Sequence, residues 1–115
     1  MRPRDSRTAL EDAFAAGQAI ERFLSGRMLD DYVADEMLRS AVERQFEILG
    51  EALGRALRAD PTLSGSLPDA SAVIGFRSVL AHGYDAVADE TVYDLAHEDL
   101  PVLIQRLGAL LEEAT

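Results

Sequence analysis

Cysteine and lysine are both missing from this chain of 115 residues. Without cysteine there is no disulfide framework and no thiolate metal site. Without lysine, all eleven basic residues are arginine. Proline and glycine are scarce, at 4 and 8 residues, and no run of alternating β-branched residues reads as a strand. No apolar stretch approaches the ~20 residues needed to cross a bilayer. The opening residues are basic (Arg2, Arg4, Arg7), but they lack the apolar segment of a secretion signal. A cytoplasmic protein without membrane association is expected.

Positive charge is also in short supply. Twenty-one acidic residues face eleven basic ones, for a formal net charge of −10. That balance argues against a broadly basic face, the usual footprint of nucleic-acid binding, and no direct interaction with DNA is expected. Any RNA contact must be focused on a small site or aided by a partner. An acidic surface that serves only solubility satisfies the same numbers.

What the chain has instead is alanine, leucine, glutamate and arginine, all good helix formers. With 48% apolar and 28% charged residues, the composition predicts one all-α domain over residues 1–115. Residues 1–6 are expected to be a flexible end. Ser6 or Thr8 can cap a first helix to about Ser25, with Leu10, Phe14, Gly17, Ile20 and Leu24 on one face. A longer helix is expected from near Asp30, carrying the stripe Leu38, Val42, Phe46, Leu49, Leu53 and Leu57. Glu43, Glu47, Gly50 and Gly54 lie beside that stripe, where the glycines would let a neighbouring backbone come close. Asp60-Pro61 ends it, and residues 61–69 have the composition of a loop.

A third helix, capped by Asp69 or Ser71, is expected to end near Gly83, with a short loop through Ala86. Asp89 or Thr91 can start a fourth helix, and 97–99 interrupts it or caps a fifth. Pro101 suits a first helical turn. Val102, Leu103, Leu107, Leu110 and Leu111 then form the face of a closing helix. The expected architecture is an up-and-down bundle of four to five helices. A bundle this short with apolar stripes on several helices leaves one apolar face uncovered, which points to a dimer.

Chemistry-bearing residues concentrate in Arg77-Ser78-Val79-Leu80-Ala81-His82-Gly83-Tyr84. An arginine, one of the two histidines and a tyrosine fall within eight residues, where an apolar helix (Val73, Ile74, Phe76, Leu80) runs out over a glycine. A buried salt bridge by Arg77 and a helix-terminal cap by His82 explain them structurally; a catalytic pair explains them functionally. Likewise Glu47 and Glu51 read either as solvated glutamates or, for Glu47, as the partner of Arg77 or Arg44. His97 reads as structural or exposed. Phe14, Phe23, Phe46 and Phe76 read as core.

The pattern Arg-x4-His-x-Tyr followed by Asp85 resembles the signature of the HEPN superfamily, specifically its HepT-like ribonuclease toxins. Arg44-Gln45-Phe46-Glu47-Ile48-Leu49-Gly50-Glu51-Ala52 is similar to a second family segment. Asp99-Leu100-Pro101-Val102-Leu103 is similar to the start of its last helix. The resemblance covers roughly residues 8–113. Ser78 departs from it, standing where Asn or Asp is more usual.

The resemblance implies an endoribonuclease toxin of a type II- or VII-like toxin–antitoxin module. It implies a homodimer with the motif at the dimer cleft, and a nucleotidyltransferase-fold antitoxin that neutralises it by transferring AMP to Tyr84. RNA carries its own nucleophile, so no metal and no cofactor is expected. His82 can act as acid or base, Arg77 can hold phosphate oxygens, and Tyr84 can bind phosphate or stack on a base. Ser78 and Glu47 are candidate supporting residues. Two other readings remain: an inactive helical partner protein whose Tyr84 is the substrate of nucleotidylylation, and a helical dimer in which Arg77 only holds the fold together.

Overall fold

Alanine sets how closely the two longest helices approach. In this computed structural model residues 4–81 and 85–113 are described, except for the side chains of 77–81 and 85–88. α1 (Arg4–Leu24) buries Ala9, Ala13 and Ala16 beside Leu10 and Ile20. α3 (Glu36–Ala59) buries Ala52 and Ala56 beside Leu49 and Leu53. Small side chains at these steps let two helices sit close together and exclude water along their length. The helices run antiparallel. Asp12 of α1 meets Arg55 of α3 at 3.1 Å, and Arg4 shares a cleft with Arg58 and Ala59.

The other elements lean on this pair. α5 (Ala70–Ala81) packs on α3, with Phe76 set edge-on to Phe46 at a ring separation of 5.9 Å. α7 (Leu100–Glu113) packs on α1 through buried Leu100, Leu103 and Leu107. Glycine decides that contact: a Cβ on Gly17 would lie 2.9 Å from Ile104 Cγ1, and one on Gly108 would lie 3.3 Å from the Phe14 ring. α6 (Asp85–Glu98) packs on α7 and on the short α2 (Leu29–Ala34). α4 (Leu63–Ser66) is a single turn.

Among the described residues there are seven helices and no strand, so the all-α expectation holds. Several boundaries differ from the sequence reading. α1 begins at Arg4, and Ser6 and Thr8 lie inside it rather than capping it; Ser6 is fully buried. The helix expected from Asp30 is two helices. Asp35 leaves helical geometry (φ −109°, ψ 98°), and its carboxylate accepts the Leu38 N–H at 3.0 Å, capping α3. An aspartate that can bond the backbone this way competes with helix continuation.

The stretch 61–69 is not all loop. Leu63 and Leu67 are buried and pin the turn of α4. α6 already starts at Asp85, so the loop expected through Ala86 and the helix start expected at Asp89 or Thr91 both give way. Asp99 does separate α6 from α7, and Pro101 does sit in the first turn of α7. Whether α5 reaches Gly83 lies outside the described residues.

Gly17→Ala should lower stability by about 1 kcal/mol. Overpacking costs ~1–3 kcal/mol against a helix-propensity gain of ~1 kcal/mol. Gly75→Ala, where a new Cβ meets nothing within 4 Å, should raise it. Urea midpoints of the two variants check both signs; a higher midpoint for Gly17→Ala would mean that Ile104 swings aside freely.

Candidate active site

The candidate residues concentrate where α5 hands over to α6. Arg77 and Ser78 belong to the backbone of α5, but their side chains lie outside the described residues. His82, Gly83 and Tyr84 lie outside them altogether. The frame that carries this segment is described on both sides.

Phe76, one residue before Arg77, is buried and locked against Phe46 of α3. Asp89, on the first half of α6, pairs with Arg39 of α3 at 3.8 Å. Arg39 also donates to the Val33 carbonyl at the end of α2. Phe46 and Arg39 are about 10 Å apart along α3 at the helical rise per residue. The candidate segment is thus tied to one helix by an aromatic contact before it and an ion pair after it.

Beside that ion pair lies Tyr32 of α2, fully buried against the Tyr93 ring at 6.1 Å. Its hydroxyl has no hydrogen-bond partner among the described residues. Burial pushes its phenol well above the ordinary range, the charges of Glu43 and Asp89 push the same way, and Arg39 opposes them. A buried phenol among charged neighbours stays protonated, because ionising it would add a third negative charge to a site that water cannot solvate.

Glu47 is exposed and pairs with Arg44 at 3.4 Å; Glu51 pairs with Arg55 at 3.8 Å. The first is a solvated ion pair of the kind that contributes ~0–1 kcal/mol; in the second the Arg55 Nε is buried and makes no hydrogen bond. On the same helix Gly50 and Ala52 are buried. Glu47 is therefore brought together with Arg44; the side chain of Arg77, its other expected partner, lies outside the described residues.

His97 is exposed. Its Nδ1 lies 2.8 Å from the Tyr93 carbonyl oxygen, so that nitrogen carries the proton. Its ring stacks on Tyr93 at 4.0 Å, and the Tyr93 hydroxyl donates to the Arg27 carbonyl at 2.9 Å. Tyr93 thus ties α6 to the turn after α1, braced by His97, beside an open cavity of about 500 Å³. The phenylalanines behave as core: Phe46 and Phe76 are buried, Phe14 and Phe23 partly so.

Sequence reasoning did not find Tyr32, Arg39 and Asp89 as a group. Asp30, Asp31 and Tyr32 fall in a helix of six residues, too short for an apolar period, and Asp89 looked like a helix start. Among the described residues no cluster of His, Asp and Glu is arranged to hold a metal ion, and no helix is long and apolar enough to cross a membrane.

Compared with known proteins, the chain matches the model of a family described as ribonuclease HepT-like over residues 15–110. No solved structure matches it.

Tyr32→Phe should leave stability at neutral pH unchanged or slightly higher, since it removes a buried hydroxyl that has no partner. Above the ordinary phenol range, near pH 10, the unfolded chain releases a proton that folded Tyr32 keeps. Stability then falls as pH rises. The variant should lose that part of the decline. Urea midpoints measured across the alkaline range test this; identical slopes would mean the buried phenol ionises as easily as a free one.

Proposed function

Because this chain belongs to the ribonuclease HepT-like family, we propose that it is a metal-independent endoribonuclease toxin of a toxin–antitoxin module. One observation carries the reading: the family match over residues 15–110 contains the whole Arg77-to-Tyr84 motif together with the helices that frame it.

In the proposed reaction a base removes the 2′-hydroxyl proton and the 2′ oxygen attacks the adjacent phosphorus. The bond from phosphorus to the 5′ oxygen breaks, and an acid protonates the leaving oxygen. His82 supplies proton transfer. Arg77 offers a permanently charged planar fork to the non-bridging phosphate oxygens, where charge accumulates in the transition state. Tyr84 hydrogen-bonds phosphate or stacks on a base. Ser78 and Glu47 support the site, Glu47 through its ion pair with Arg44.

Residues five apart on an ideal helix point roughly 140° from each other, so an unbroken ideal helix through both would not present Arg77 and His82 on a common face. A homodimer that sets two motifs across one cleft resolves this. Met28, Val33 and Met37 are exposed apolar side chains, at 70%, 46% and 83% of full exposure, available to a second chain. The proposed antitoxin is a nucleotidyltransferase-fold protein that transfers AMP to the Tyr84 hydroxyl. The added phosphate would occupy the place of the substrate phosphate beside Arg77 and His82.

His82→Ala and Arg77→Ala should each abolish cleavage of RNA, a loss of ~10²-fold or more, while leaving the protein folded and dimeric. Cleavage should persist in EDTA and leave 2′,3′-cyclic phosphate ends, read by end-labelling of the products. A metal requirement, or a His82→Ala protein as active as wild type, would overturn the mechanism. If Arg77→Ala unfolds the chain, the structural salt bridge is the correct role for that arginine.

A further inference from the structure

Among the described residues, most guanidinium groups are neutralised by a carboxylate. Arg7, Arg27, Arg39, Arg44, Arg55 and Arg106 all have one within 4 Å. Among the described residues Arg4, Arg22 and Arg58 have none. Two of these three share one cleft. It lies where the start of α1 meets the end of α3, is lined by Arg4, Asp5, Thr8, Arg55, Arg58 and Ala59, and encloses about 480 Å³.

Arg55 is held in place there. Its Nη2 bonds Asp12 at 3.1 Å, whereas its buried Nε makes no hydrogen bond and only approaches Glu51 at 3.8 Å. The third arginine is seated by a glycine. A Cβ on Gly54 would meet a single neighbour, Arg58 Nη1, at 3.3 Å. Gly54 therefore does not admit another backbone, as its place on the helix face suggested; it makes room for the Arg58 guanidinium to lie back along α3 toward Arg55.

We infer that Arg4, Arg55 and Arg58 form a phosphate-binding cleft that grips the RNA backbone away from the reacting bond. The Arg55 charge is offset by Asp12 and Glu51, but Arg4 and Arg58 against the single carboxylate of Asp5 leave the cleft locally positive inside a chain of net charge −10. Planar guanidinium forks match phosphate oxygens in geometry. α3 also links the cleft to the candidate active site. Arg58 lies about 18 Å along that helix from Phe46, the residue on which α5 rests beside Arg77. An RNA strand spans that distance in about five nucleotides at ~3.4 Å each. The substrate class rests on the ribonuclease reading; the cleft itself does not.

The test titrates the full chain, in a His82→Ala background that spares the strand, with a single-stranded RNA of about 20 nucleotides and separately with inorganic pyrophosphate. The double variant Arg4→Ala/Arg58→Ala should weaken RNA binding about ten-fold at ~0.1 M salt. It should also flatten the slope of log affinity against log salt by about 1.4, the value for two lost phosphate contacts on a single strand. Gly54→Ala keeps every charge and improves helix propensity, so its melting temperature should hold or rise while RNA affinity falls several-fold. With otherwise wild-type protein, cleavage of a dinucleotide should be unaffected by either change, and KM for the long strand should rise.

Unchanged RNA affinity and salt slope in both variants would overturn the cleft. Dependence on Arg58 seen with pyrophosphate but not with RNA would overturn RNA as its ligand. Wild-type protein that cuts no RNA yet binds it through Arg58 would sink the ribonuclease reading and leave the cleft standing.

Discussion

The close contact between α1 and α3 is the constraint on which the other elements depend. Ala9, Ala13 and Ala16 of α1 and Ala52 and Ala56 of α3 are all buried where the bundle packs. Alanine contributes little area of its own, but it lets the larger Leu10, Ile20, Leu49 and Leu53 interlock at the same level. α7 then settles on α1 because Gly17 and Gly108 leave room for Ile104 and Phe14. α5 settles on α3 because Phe76 finds the edge of Phe46. The helices that frame the candidate segment form the second layer of this assembly.

Charge follows a different logic from packing. Exposed pairs such as Arg7–Glu11 and Arg44–Glu47 add little stability. Their effect is to cancel positive charge over most of the surface. What remains uncancelled is local, which is how an acidic chain can still address a polyanion at chosen points. Solubility and selective attraction to phosphate are then compatible properties of one surface.

The helices were legible because their apolar residues recur at helical steps. The stripe from Leu38 to Leu53 is buried as read, its last member Leu57 only partly, and Asp60-Pro61 ends α3 where the proline requires. The break at Asp35 was not legible, since the same aspartate serves equally inside a first turn or as a cap, and only tertiary contact decides. The turn around Leu63 and Leu67 was hidden by its Ser, Gly and Pro neighbours. In the candidate site, residue identities came from the motif and from family resemblance. The group formed by Tyr32, Arg39 and Asp89 could not, because its members come from three helices and no spacing in the chain records their meeting.

One joint carries a mechanical consequence. α6 and α7 are separated by Asp99 alone, and near that joint Tyr93 is fastened to the Arg27 carbonyl and braced by His97. From Tyr93 to the start of α6 at Asp85 is about 12 Å of nearly rigid rod. A tilt of only ~5° about the fastened end would carry the far end through about 1 Å, a displacement that can cost a positioned reaction ~10²-fold in rate. The turn after α1 therefore acts as a fulcrum: distant in the chain from the motif, it sets the aim of the helix that begins where the motif ends.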